Sequence, residues 1–279
     1  MLRLARWFAI VLGGFVGLFL VAFAALYVIG LGRLGATVPN LAIETVTIPT
    51  DSAAINRGEH VATIWGCRNC HGADLGGQAG NPLLSGTTLL GSVSAPNLTP
   101  GRGGIGGAYT DTDWVRAIRH GVRSDGRGAV LMYSAWALSD ADLGDVIAYL
   151  KQLPAVDREE SPARVGPLYV AVVGAGLISP AASTIDLDAP RPVAPAAALS
   201  PVYGRYVSTM CLSCHSERMY RSIAELSQDE FSNAMRSGVM PDGERFSPAM
   251  TTPNFAALTD LELEAIWLYA QEAQAAADR

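Results

Sequence analysis

The stretch "WGCRNCHGADLGG", residues Trp65 to Gly77, separates Cys67 from Cys70 by two residues and puts His71 directly after them. The arrangement recurs in "MCLSCHSER", where Cys211, Cys214 and His215 stand in the same order. Together the two motifs take all four cysteines and two of the four histidines of a 279-residue chain. Two Cys-x-x-Cys disulfides would close very short loops, stabilise little, and leave the histidines unexplained. A four-thiolate zinc ribbon keeps its pairs about 15–20 residues apart; here Cys67 and Cys211 are 144 positions apart. Covalent haem attachment accounts for all three residues. Each thiol forms a thioether with one vinyl group, and the adjoining histidine is carried under the iron as an axial ligand. Two covalently bound haem c groups are therefore expected, one held by Cys67, Cys70 and His71, the other by Cys211, Cys214 and His215.

Working outward, each motif sits in a similar frame. The first is entered through a helical pattern, "SAAINRGEHVATIWGCRNCH", and closed by "LSDADLGDVIAYLKQLP". In the closing segment Ser139 reads as an N-cap, Asp140 and Asp142 occupy the first turn, and Leu143, Ile147 and Leu150 form one apolar stripe. The second is entered through "SPVYGRYVSTMCLSCH" and closed by "LTDLELEAIWLYAQEAQ", with Thr259 as the cap and Leu263, Ile266, Trp267 and Ala270 as the stripe. This is an internal duplication of an all-α unit.

The amino-terminal segment has Arg3 and Arg6 ahead of an uncharged apolar run from Trp7 to Gly32. At about 1.5 Å per helical residue the run exceeds the roughly 30 Å bilayer core. The two arginines predict a cytoplasmic amino terminus and an exported body. The run is too long for an ordinary cleaved leader, although "GRLGA" leaves a weak cleavage site at its end. The net charge of −6 argues against a nucleic-acid partner. The expected organisation is a transmembrane anchor over residues 1–34, a tether over 35–52, a first domain over 53–155, a connector over 156–199 and a second domain over 200–279. Within the connector, Val165–Ile178 is apolar but too short to span a bilayer. It is expected to pack across the two domains or against a partner subunit.

The stretches "RGEHVATIWGCRNCHG", "APNLTPG", "DTDWVRAIRHG" and "MTTPNFAALTDLELEAIWLYA" resemble the cytochrome c subunits of bacterial membrane dehydrogenases. The resemblance implies an all-α fold of one N-terminal transmembrane helix followed by two cytochrome c-like domains. It also implies an axial methionine in a loop shortly before each terminal helix. In the first unit that residue is Met132. In the second, aligning the Asp-Gly pairs favours Met250, with Met240 as the alternative. Proline commonly adjoins this methionine in the family, whereas Tyr133 and Thr251 follow here. His60 and His120 read as surface or packing residues. Arg116, Arg119 and Arg123 read equally as propionate partners or as a solvated helix face.

The implied function is single-electron relay between membrane or periplasmic redox partners, a donor and an acceptor, without bond chemistry on a substrate. The chain would serve a respiratory or dehydrogenase complex from the outer side of a bacterial cytoplasmic membrane. The alternative is a dihaem enzyme, peroxidase-like or thiosulfate-oxidising, with one open haem site. That needs a vacated iron position and an acid–base group beside it, and no such constellation stands out.

Overall fold

The computed structural model describes residues 2–38, 41–80, 88–132, 135–159, 163–179, 190–247, 250 and 252–279. Helix α1 (Leu2–Gly35) leads into a first unit of α2 (Ser52–Ile64), α3 (Cys67–His71), α4 (Asp111–His120) and α5 (Asp140–Lys151). Helix α6 (Pro167–Gly174) follows. The second unit comprises α7 (Pro201–Ser208), a 3₁₀ turn (Thr209–Ser213), α8 (Met219–Ala224), α9 (Gln228–Ser237), α10 (Thr252–Phe255) and α11 (Asp260–Ala277). Strand structure among the described residues is slight, its longest element the two-residue pairing of β1 (Gly91–Ser92) with β2 (Arg164–Val165). The all-α reading holds, and α1 is long and apolar enough to cross a membrane.

The caps fall where the sequence places them. Ser139 Oγ accepts the Asp142 amide at the start of α5, and Thr259 Oγ1 accepts the Glu262 amide at the start of α11. The predicted stripes are the buried faces: Leu143, Ile147, Leu150, Leu263, Ile266 and Ala270 are all buried, and Trp267 packs at the edge of the second core. Each terminal helix crosses the entry helix of its own unit at a glycine. A Cβ on Gly58 would collide with the Asp145 carbonyl, and one on Gly204 with the Ala265 carbonyl. The two units thus share one crossing geometry.

Their packing against each other is reciprocal. Two residues beyond Gly58, His60 Nε2 bonds the Glu262 carboxylate of α11 at 2.9 Å. Two residues beyond Gly204, the Tyr206 hydroxyl donates to Asp142 of α5 and accepts the Ser139 amide at 3.0 Å. Asp142 and Glu262 hold the same position, third in their helices, so the seam has pseudo-two-fold character. Ile64 belongs to the second unit's core, and Trp65 packs against both cores.

Two segments differ from expectation. The stretch read as a tether packs onto the first unit: Val46 is buried in its core, with Ile43 and Ile48 against it. The apolar run around α6 packs on α1 and the first unit instead of bridging the two units, as described below.

Candidate functional site

The first motif is built to present an imidazole. Helix α3 carries Cys67, Cys70 and His71, and Gly66 and Gly72 flank it with φ of +75° and +83°, values that favour glycine. His71 is buried, and its Nδ1 lies 2.8 Å from the Pro96 carbonyl oxygen. A carbonyl only accepts, so Nδ1 carries the proton and donates, leaving Nε2 with a free lone pair for a metal. Burial pushes the His71 pKa down despite that bond, keeping the ring neutral. The carbonyl is itself fixed. Asn97 Oδ1 accepts from the amide and hydroxyl of Thr99, and Asn97 Nδ2 donates to the Val156 carbonyl at 2.7 Å. The chain returning after α5 therefore clamps the loop that orients His71.

Around this imidazole the donors fit a haem. Cys67 and Met132 pack against the same buried cluster, which includes Leu75, Leu98, Trp114, Val115 and Ile147. Burial raises the Cys67 thiol to about 11 and also raises Cys70, so both stay protonated. The buried Trp114 Nε1 finds no hydrogen-bond partner among the described residues. An orphaned donor in an apolar shell suits an acidic group such as a propionate.

The motif is also held from outside. Arg68, between the cysteines, donates to the Tyr149 hydroxyl at 2.6 Å and to Glu59 at 2.8 Å. The three arginines flanking Trp114 have carboxylate partners: Arg116 with Asp113, Arg123 with Asp125, and buried Arg119 with Glu44 and Asp140. His120 bonds Glu44 at 3.1 Å. Like His60, it serves packing.

The second motif repeats the donors with less support. Cys211 and Met250 pack against a buried cluster that includes Met210, Phe231, Met235 and Leu258. Burial raises Cys211 to about 12. Cys214 and His215, however, are exposed, and the 3₁₀ turn replaces the α-helical motif. Leu212 takes the place of Arg68. Tyr269, which corresponds to Tyr149, packs edge-on to Tyr220 at 4.8 Å. A cavity of about 340 Å³ remains among Trp65, Trp136, Arg205, Leu212, Tyr220 and Tyr269. Met240 lies in the turn after α9, half-buried, with its amide bonded to Glu244.

Sequence reading overlooked Pro96 and the Asn97–Thr99 clamp as orienting groups. Their one signal was the compact "APNLTPG", and nothing local connects it to a histidine 25 residues earlier.

Comparison with known proteins agrees with this geometry. The family model described as cytochrome c matches residues 55–154. A diheme cytochrome c-type protein of Cereibacter sphaeroides is 35% identical over 115 residues, 38% of either chain. The fructose dehydrogenase cytochrome subunit of Gluconobacter japonicus is 33% identical over 113 residues, 37% of this chain and 23% of that protein. The cytochrome c subunit of the quinone alcohol dehydrogenase of Gluconobacter oxydans is 38% identical over 106 residues, 36% of this chain and 21% of that one. The match thus spans between a fifth and two fifths of each relative. Residues 55–154, with their Cys-x-x-Cys-His helix and clamped imidazole, match the cytochrome c family model, and a domain of that kind implies a covalently bound haem c.

Proposed function

We propose that the chain is a membrane-anchored dihaem cytochrome c that relays single electrons. The reading is carried by one observation: a second Cys-x-x-Cys-His motif stands in the same helical frame as the first and packs against it across a reciprocal seam. Haem, when bound, supplies an iron that alternates between ferrous and ferric states. The protein's part is to attach, orient and shield. Cys67 and Cys70 anchor one group and Cys211 and Cys214 the other. His71 and His215 would each offer a nitrogen to the iron, and Met132 and Met250 a sulfur. Met250 is preferred over Met240 because it packs against the same cluster as Cys211.

The relatives named as cytochrome subunits of fructose and alcohol dehydrogenases support a partner of that kind, a membrane dehydrogenase as electron donor, with a further redox acceptor. The apolar α1 fits single-pass anchoring, and the arginines before it favour haem domains on the periplasmic side.

The test is an alkaline pyridine haemochrome assay on the purified chain, followed by the dithionite-reduced spectrum before and after carbon monoxide. Two haems per chain and an unchanged spectrum are expected. One haem per chain would remove the dihaem reading. A carbon monoxide shift accounting for one haem would point to an open iron and an enzyme.

A further inference from the structure

Helix α6 and the turn after it contain no charged residue from Val165 to Ile178. One side of α6 is fully used. Tyr169 and Val173 are buried with Val93, backed by Leu90, Val130 and Leu131 of the first unit, and the Tyr169 hydroxyl donates to the Val130 carbonyl at 3.1 Å. Another side lies on α1, so closely that glycine is needed at two points. A Cβ on Gly30 would strike the Val170 carbonyl, and one on Gly174 would strike the Leu26 carbonyl. These pairs show the two helices running antiparallel, so the chain leaving α6 descends along α1. The Arg33 guanidinium donates to the Val173 carbonyl at 2.8 Å near the end of α6.

The level on α1 decides what covers the remaining surface. From Trp7 the roughly 30 Å hydrocarbon core is used up after about 20 residues, near Leu26. The contact with α6 runs from Leu26 to Arg33, at the boundary between acyl chains and headgroups. There Leu177 is 78% exposed, and Ile178 and Leu168 are also exposed. Helix termini and turns are tolerated at that boundary, whereas unpaired backbone is excluded from the core. We infer that Leu177 and Ile178 insert into the outer-leaflet interface of the bilayer, so that α6 is a membrane-seated bracket between α1 and the first unit. The occupant of this apolar surface is phospholipid, because the surface is continuous with the lipid-facing side of α1. The consequence is a fixed orientation: the Val130–Leu131 segment, against which α6 packs, is held toward the membrane.

The inference rests on reading α1 as a membrane span, and the experiment separates the two. Full-length chain in phosphatidylcholine nanodiscs carries p-benzoylphenylalanine in place of Leu177, of Phe15 in α1, or of exposed Val202 in α7, and is irradiated and weighed by mass spectrometry. Gain of a phospholipid mass at 177 and at 15, with none at 202, is the expected result. Lipid at 15 without lipid at 177 overturns the bracket and leaves the span standing, whether 177 gains nothing or another polypeptide. No lipid at 15 overturns the span and the bracket with it.

Discussion

The two Cys-x-x-Cys-His units share caps, crossing glycines and motif residues, yet one is enclosed and the other open. The difference traces to what lies over each frame. Over the first, the segment of residues 41–51 adds Val46 to the core and Glu44 to Arg119. Residues 153–158 clamp the Pro96 loop, and α6 closes another side. Arg119 bonds the Leu138 carbonyl and Asp140 at the start of α5, and is buried. Its counterpart Arg236 bonds the Ala256 carbonyl and Asp260 at the start of α11 in the same way, but at the surface. One frame therefore holds two grades of site, and the grade is set by accessory segments.

Removing attachment should give the largest effect. Replacing Cys67 and Cys70 by alanine, or Cys211 and Cys214, is expected to lower haem absorbance per chain by about half in each case. Only the first pair should also lower the thermal midpoint of the first unit strongly, because Cys67 packs in a clamped core. Equal losses of stability would break the contrast. Next come the paired arginines. Arg119→Met removes the buried cation shared by Glu44 and Asp140, leaving His120 to the first and the surface Arg191 to the second, and should cost about 3 kcal/mol. Arg236→Met at the exposed pair should cost about 0.5 kcal/mol. Urea midpoints of the two variants decide whether the accessory segment matters.

A smaller effect is expected at the outer clamp. Arg68→Leu strips the Tyr149 hydroxyl of its donor and should cost about 1–2 kcal/mol. It should also make the first haem more reactive toward carbon monoxide. Leu212→Arg, which restores that donor opposite Tyr269, should raise the urea midpoint of the second unit, and no change in either variant would detach the clamp from the difference between the units.

The smallest prediction uses the seam. Its two reciprocal contacts differ in that one titrates near neutrality. The bond to Glu262 raises the His60 pKa above 6.5. Burial alone would raise Glu262, but its bonds from His60 and Thr259 hold it below 4.5. Neighbouring Tyr203 is raised to about 12 and stays neutral throughout. A raised histidine contributes stability that is complete below 6.5 and is lost as pH climbs through its folded value. The depressed carboxylate contributes above 4.5 and loses its share as pH falls through its folded value. The contact is thus strongest between those limits. Since His60 is partly exposed, the expected amplitude is about 1 kcal/mol. His60→Tyr, which imitates Tyr206, should flatten the stability profile from pH 6 to 8 relative to wild type, and an unchanged profile would remove the seam as its source.

Much of this was legible in the sequence because the signals are local. Motif spacing, cap residues and 3.6-residue stripes each act within a few residues, and Ser139, Thr259, Leu143 and Leu263 behave as read. An apolar run from Trp7 to Gly32 needs no tertiary partner to declare itself a helix of spanning length. Other features were beyond reach because they join residues far apart in the chain. His71 takes its proton orientation from Pro96, and Arg119 becomes a core residue through Glu44. A stretch that reads as a tether is held because Ile43, Val46 and Ile48 find a core that composition does not reveal. The apolar run at α6 was expected to pack across the two units or against a partner subunit, and it lies on α1 and the first unit, since hydrophobicity carries no address. The sequence by itself determined a helix long and apolar enough to cross a membrane and two copies of one Cys-x-x-Cys-His motif. Tertiary structure alone decided which copy is sheltered, because enclosure depends on long-range packing that identical local motifs do not encode.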